Sequence, residues 1–73
     1  MIMLKELKAI LGQIDLKIVL YDIDNPNTPL ETYDNYVDFR FHGDYNYYAV
    51  KEFGVLCDHT TQEETEFYIV IEE

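Results

Sequence analysis

The segment Glu66–Glu72 most narrowly limits what this 73-residue chain can fold into, because it alternates without interruption. Apolar side chains occupy every second position, at Phe67, Ile69 and Ile71. The positions between them carry Glu66, Tyr68, Val70 and Glu72. A side-chain period of two is that of a β-strand with one buried face. The chain therefore contains a sheet that packs one face against a core.

A second alternation runs from Tyr36 to Phe41 and predicts another strand, with Val37, Phe39 and Phe41 on its inner face. Two further segments, Leu16 to Asp22 and Tyr47 to Cys57, are rich in β-prone residues and predict two more strands. Between these segments, residues 24–29 contain two prolines and predict an irregular connection. Residues 58–64 are polar and predict a loop.

The start of the chain predicts a helix over about residues 2 to 12. Apolar residues recur there at spacings of three and four, at Leu4, Leu7, Ile10, Leu11 and Ile14. Gly12 suits the end of such a helix. Together these elements predict a single α+β domain over residues 1–73, with an N-terminal helix packed on one face of a four-stranded, mainly antiparallel sheet. A helix about 10 Å wide leaves part of a sheet roughly 15 to 20 Å across uncovered.

Acidic residues dominate the charge and are unevenly placed. The chain has 15 Asp and Glu against 5 Lys and Arg, a formal net charge of -10. Residues 18–39 and residues 52–73 contain acids and no base. Such a field repels nucleic acid and anionic membranes and attracts a basic protein surface.

The composition offers little for catalysis. The chain has no serine, its three glycines are scattered, and Cys57, His59 and His42 are its only cysteine and histidines. These three leave open a nucleophile pair or a metal site, but structural zinc normally takes four ligands. We therefore predict no enzyme activity, no metal and no cofactor. The single cysteine favours a reducing interior, and the start of the chain has no long apolar run and no cleavage-type small-residue site, so we expect a cytoplasmic protein.

Tyrosines predicted to face outward lie among the acids, and they include Tyr21, Tyr36 and Tyr68. They either shield a wet sheet face or anchor a partner, because tyrosine is enriched at interface hot spots. An aromatic and anionic surface suits an arginine-rich partner. The predicted partner-binding residues are Asp22, Asp24, Asp34, Tyr36, Asp38, Glu63, Glu64, Glu66, Tyr68, Glu72 and Glu73.

The segments Leu4–Leu11, Ile18–Asp22 and Glu66–Glu73 resemble small helix-then-strand proteins of phages and prophages of Gram-positive bacteria. In size and charge, though in no motif, the chain is also similar to phage-encoded DNA-mimic inhibitors, among them anti-CRISPR and anti-restriction proteins. That resemblance implies an inhibitor that occupies the DNA- or PAM-binding groove of a host nuclease. The alternative is a structural or assembly module, either an accessory subunit or a homo-oligomer paired through a sheet edge at Tyr68 to Ile71.

Overall fold

The computed structural model describes residues 2–72 and has an α+β fold with an N-terminal helix, as the sequence predicts. The described sheet has five strands rather than the predicted four. Along the chain the elements are β1 (Ile2–Met3), α1 (Leu4–Ile10), β2 (Lys17–Asp22), β3 (Asn25–Tyr33), α2 (Tyr36–Phe41), β4 (Ala49–Cys57) and β5 (Glu64–Glu72).

The sheet is mixed, with the spatial order β1-β4-β5-β2-β3. Strands β2 and β5 run parallel, and the other neighbouring pairs run antiparallel. Strand β5 is therefore central, so the predicted exposed edge at Tyr68 to Ile71 is wrong. The parallel pairing sets Ile18 beside Phe67 and Leu20 beside Ile69. Such apolar neighbours are expected where parallel strands are buried.

Strand β3 occupies the segment that the prolines predicted to be irregular. It is an edge strand, next to β2 alone. An edge strand tolerates proline because one side of it needs no donor for a neighbouring strand. Pro29 sits opposite Tyr21, where the register shifts. Prolines therefore excluded a central strand here, but not an edge strand.

Helix α2 occupies the segment predicted to be a strand. Asn35 caps it: its Oδ1 accepts from the Asp38 backbone N–H at 2.9 Å, and its Nδ2 donates to Asp38 Oδ2 at 3.2 Å. These bonds satisfy donors that a helix start leaves free. Of the three apolar residues predicted to face inward, Phe39 alone is buried, while Val37 and Phe41 are 57% and 68% exposed.

Helix α1 is shorter than predicted and presents a different face to the core. Its first turn is held by Glu6, whose Oε1 accepts from the Met3 backbone N–H at 3.0 Å. Ile10, predicted to be on the apolar stripe, is 70% exposed, whereas Lys8 is only 4% exposed. Neither helix in residues 2–72 is long and apolar enough to cross a membrane.

The core lies between the two helices and one face of the sheet. Helix–helix and helix–strand contacts place both α1 and α2 on that face. The buried cluster consists of Leu4, Leu7, Ile18, Leu20, Tyr33, Phe39, Val50, Phe67, Ile69 and Ile71. All three residues predicted to face inward on the last strand belong to it.

Candidate functional site

The opposite face of the sheet carries no helix within residues 2–72. Alternation along the strands and the cross-strand register define which side chains it presents. We call this surface the open face. It comprises Lys17, Val19 and Tyr21 from β2, Ala49, Glu52, Gly54 and Leu56 from β4, and Glu64, Glu66, Tyr68, Val70 and Glu72 from β5. Lys17 lies opposite Glu66, so the open face is not purely acidic.

An apolar groove runs along the open face. Its volume is about 230 Å³, and it is lined by Tyr21, Pro26, Leu56, Tyr68 and Val70. Val19 lies beside Tyr68 in the β2–β5 register and is only 2% exposed. Neighbouring side chains must therefore cover Val19, because no described helix does. The tyrosines give this surface an apolar base with polar rims.

Two tyrosine–glutamate hydrogen bonds cross between strands on the open face. The Tyr21 hydroxyl donates to Glu66 Oε2 at 3.0 Å, from β2 to β5. The Tyr68 hydroxyl donates to Glu52 Oε1 at 3.1 Å, from β5 to β4. Both rings are thereby fixed before any partner arrives.

The same contacts raise the pKa of both tyrosines. For Tyr21 the larger cause is burial of the hydroxyl, followed by the bond to Glu66. For Tyr68 the larger cause is the bond to Glu52. Both hydroxyls thus remain protonated donors at neutral pH. An ionised carboxylate has about four acceptor positions, so each glutamate can still accept from a partner.

Gly54 gives the Tyr68 ring its position. A Cβ atom at Gly54 would lie 3.0 Å from the Tyr68 hydroxyl oxygen and 3.1 Å from Cε1. The Tyr68 ring therefore packs directly on the Gly54 backbone. An aromatic ring in this position is known to offset the destabilising effect of glycine in a strand. The sequence suggested a bulge at Gly54, but the register shifts of β4 lie between Val50 and Glu52 and between Leu56 and Cys57.

One salt bridge marks the rim of the open face. Lys51 lies at the first β4 register shift, and its Nζ is 3.0 Å from Glu72 Oε2. It is the only salt bridge between side chains of residues 2–72. An exposed pair of this kind adds little stability, so its main effect is to neutralise one carboxylate of the surface.

The predicted partner-binding residues do not converge on one face. Glu66, Tyr68 and Glu72 lie on the open face. Glu64, the first residue of β5, alternates with them and shares that face. The others within residues 2–72 lie in three further places: Asp22 and Asp24 at the β2–β3 turn, Asp34, Tyr36 and Asp38 at α2, and Glu63 in the β4–β5 hairpin loop. Glu73 lies outside the described residues.

Tyr36 was expected to lie on a strand face with Asp38, but it lies on α2 in the helix layer. It packs against the core, and its hydroxyl donates to the Leu11 carbonyl at 3.0 Å and accepts from Arg40 Nη1 at 3.1 Å. Asp38 is engaged in the cap of α2. Tyr36 and Tyr68 therefore belong to opposite layers of the fold.

Sequence reasoning missed Glu52, Leu56 and Pro26 as members of the groove and its rim. They join it through the β4–β5 and β2–β3 pairings, and no local pattern reveals those partners. The other groove residues, Tyr21, Tyr68 and Val70, were recognisable as outward-facing, because they alternate with the buried residues of their strands.

Cys57, His59 and His42, considered above for chemistry, are not among the residues that line the open-face groove. Cys57 is exposed at the end of β4. Next to it, Asp58 accepts from the backbone N–H groups of Thr60 and Thr61, and these bonds lower the pKa of its carboxyl group. Asp58 thus holds the hairpin turn. Within residues 2–72 no group of three or more His, Cys, Asp or Glu is placed to hold a metal ion.

No family model matches this chain, and no curated protein or solved structure does so either.

Proposed function

We propose that this protein is a small acidic inhibitor that binds a basic protein surface through its open face. The partner class is a nucleic-acid-binding enzyme, such as a CRISPR effector or a restriction nuclease, whose groove the protein occupies. The observation that carries the proposal is the pair of Tyr–Glu hydrogen bonds on a sheet face without a helix.

The chemistry of the open face suits arginine and lysine. A guanidinium group pairs with a carboxylate and stacks on an aromatic ring. On the open face, Tyr21 lies against Glu66 and Tyr68 against Glu52, so ring and carboxylate are adjacent in both cases. Because these side chains are held already, less conformational entropy is lost on binding.

Acids at the two ends of β5 extend the negative field of the open face. Glu63 and Glu64 lie where β5 begins, whereas Asp22 and Asp24 lie beside its other end. At about 3.3 Å per residue, these groups are roughly 25 Å apart. Duplex DNA covers that length in roughly seven base-pair steps of about 3.4 Å. This spacing supports the mimicry of a short duplex.

The first test is capture of a purified candidate nuclease and inhibition of its DNA cleavage by the wild type, Tyr68→Ala and Tyr47→Ala. Tyr47 is also exposed but lies outside the open face. We expect Tyr68→Ala to weaken binding at least tenfold, because hot-spot truncations cost about 2 kcal/mol or more. Tyr47→Ala should bind as the wild type does. Equal effects of the two variants would refute the assignment to the open face.

A second test separates specific carboxylates from net charge. The double variant Glu52→Gln/Glu66→Gln removes two charges from the open face. Asp15→Asn/Asp44→Asn removes two exposed charges elsewhere. We expect the first to bind more weakly and with a smaller salt dependence, and duplex DNA to displace the wild type from the nuclease. Salt-independent binding would contradict DNA mimicry.

A second candidate function is self-assembly through β4, favoured by a specific observation. Strand β1 pairs with Ala49 and Val50 alone, so residues 52–57 have no second neighbouring strand within residues 2–72. Phe53, Val55 and Leu56 are partly exposed along that edge. An unpaired apolar edge is a template for pairing with another copy.

Analytical ultracentrifugation over a range of concentrations tests this candidate. If β4 pairs with a second copy, Val55→Lys should convert the dimer to a monomer, because a lysine blunts an edge. Val37→Lys is the matched control on exposed α2. A wild type that stays monomeric at every concentration would rule out the edge dimer and leave the inhibitor proposal intact.

A further inference from the structure

Three of the five cations of this acidic chain line one cavity in the helix layer. They are Lys5 and Lys8 from α1 and Arg40 from α2. The cavity has a volume of about 320 Å³, and its wall is completed by Ala9, Phe41, Asn46 and Tyr47. It does not share a single residue with the open-face groove.

None of these three cations forms a salt bridge within residues 2–72, although the chain contains 15 acids. Lys5 Nζ lies 5.5 Å from the centre of the Tyr47 ring, and the Arg40 guanidinium lies 5.5 Å from that of Phe41. Lys8 Nζ donates to the His42 carbonyl at 2.9 Å. Since lysine has three donors and arginine five, the exposed Lys5 and Arg40 keep donors for an external anion. The buried Lys8 amine instead lies 5.1 Å from the centre of the Phe39 ring and contributes charge rather than a direct contact.

The fold brings these groups together through local contacts. Lys5 and Lys8 are three residues apart, which places them on one side of α1. The Lys5 backbone N–H donates to the Asn46 carbonyl at 2.7 Å, and this bond ties the segment with Tyr47 to the start of α1. Arg40 comes from the last turn of α2.

Lys8 adds an electrostatic reason for an anion here. It is almost fully buried, and this burial lowers the pKa of its amine. The neighbouring Glu31 carboxylate opposes that effect, but only as the smaller cause. An anion in the cavity would stabilise the charged amine, because an opposite charge favours the ionised form.

The other walls of the cavity suit a flat ring. Phe41 and Tyr47 are both largely exposed aromatic side chains beside the cations. The Asn46 side-chain Oδ1 is buried and has no hydrogen-bond partner within residues 2–72. The volume is at the lower end of about 300 to 1,000 Å³ for small-molecule sites, which corresponds to a small ligand.

We propose that this cavity binds a small phosphate monoester carried on a flat ring, of the size of a nucleoside monophosphate. Arg40 and Lys5 would contact the phosphate, because guanidinium and ammonium groups form charge-assisted hydrogen bonds to its oxygens. Phe41 and Tyr47 would contact the ring. The net charge of -10 opposes any anion, so binding depends on these direct contacts.

Titration of the full chain with AMP, followed by isothermal calorimetry and by NMR, tests the proposal. Adenosine and inorganic phosphate are the partial ligands. We expect one site for AMP, with chemical-shift changes at Lys5, Lys8, Arg40 and Tyr47. Adenosine and phosphate should each bind at least tenfold more weakly than AMP, because each contacts only some of the residues that line the cavity.

Lys5→Gln and Arg40→Gln should each weaken AMP binding at least about tenfold, because each removes a charge-assisted hydrogen bond to the phosphate. Lys17→Gln removes the same charge outside the cavity and should leave binding unchanged. Arg40 also donates to Tyr36, so Lys5→Gln keeps the test valid if Arg40→Gln unfolds. Absence of AMP binding at millimolar concentration, equal weakening by Lys17→Gln, or adenosine binding as tight as AMP would overturn the proposal.

Discussion

Replacing Tyr33 by phenylalanine should stabilise this protein, although the residue is in the core. Tyr33 is buried, and its hydroxyl makes no hydrogen bond of good geometry within residues 2–72, although the Glu31 carboxylate lies near it. Its ring packs edge-on against Phe39, with centroids 5.6 Å apart. Phenylalanine keeps that contact and removes only the hydroxyl.

The magnitude follows from two opposing effects. A buried polar group without a partner costs about 1 to 3 kcal/mol. Loss of the oxygen leaves a small gap beside Gly43, where it makes a close approach, and this offsets part of the gain. We expect the free energy of unfolding to rise by about 1 kcal/mol. For a domain of this size that raises Tm by about 4 to 8 °C.

Urea unfolding followed by circular dichroism measures the change, and Tyr21→Phe is the matched control. The Tyr21 hydroxyl donates to Glu66, so the same substitution there should lower stability, by at most about 1 kcal/mol on a partly exposed surface. A loss of stability in Tyr33→Phe would refute the reasoning, because it would mean that the hydroxyl has a partner in solution.

Three further predictions test the fold. Phe39→Ala should lower the free energy of unfolding by about 3 to 5 kcal/mol and Phe41→Ala by far less, because Phe39 alone of the two is buried. If urea titrations showed similar losses for both variants, residues 36–41 would be better described as a strand. Asn35→Ala should cost about 1 kcal/mol through loss of the α2 cap, measured in the same way; no loss would contradict the cap. The pKa of Tyr33 is raised in the folded protein, mainly by burial and also by the nearby Glu31 carboxylate. Above about pH 10 the unfolded tyrosine ionises while the folded one does not, so stability should fall as pH rises. The lowered pKa of Lys8 has the opposite effect on stability in this pH range. The test therefore compares the wild type with Tyr33→Phe, which should lose less stability as pH rises. Equal losses of stability would count against a buried Tyr33 hydroxyl.

The strand prediction for the end of the chain succeeded because its sequence pattern favours a strand clearly over a helix. The alternation of Glu66–Glu72, with its β-branched residues, favours a strand, and its inner residues Phe67, Ile69 and Ile71 are all in the core. The prediction for α2 failed because a run of six residues fits both periods. The decisive signal was Asn35 three residues before Asp38, which marks a helix start.

Strand order was beyond the sequence, and the candidate site depends on it. Tyr68 meets Gly54 and Glu52 through the register of the β4–β5 hairpin, which the register shifts of β4 help to set. The parallel β2–β5 pairing likewise brings Tyr21 to Glu66 across 45 residues of chain. Alternation therefore predicted which side chains face outward, and pairing decided which of them form a surface.

The open-face groove and the cation-lined cavity lie in different layers of the fold, and this placement has a functional consequence. The open face holds Glu52 and Glu66 with their tyrosines, while the cavity with Lys5 and Arg40 lies in the helix layer. The two surfaces share no residue. A basic protein on the open face would therefore leave the cavity accessible. Binding of AMP should then be unaffected by Tyr68→Ala, and binding of the protein partner should be unaffected by Lys5→Gln. Loss of both in either variant would mean that the two sites are coupled through the core.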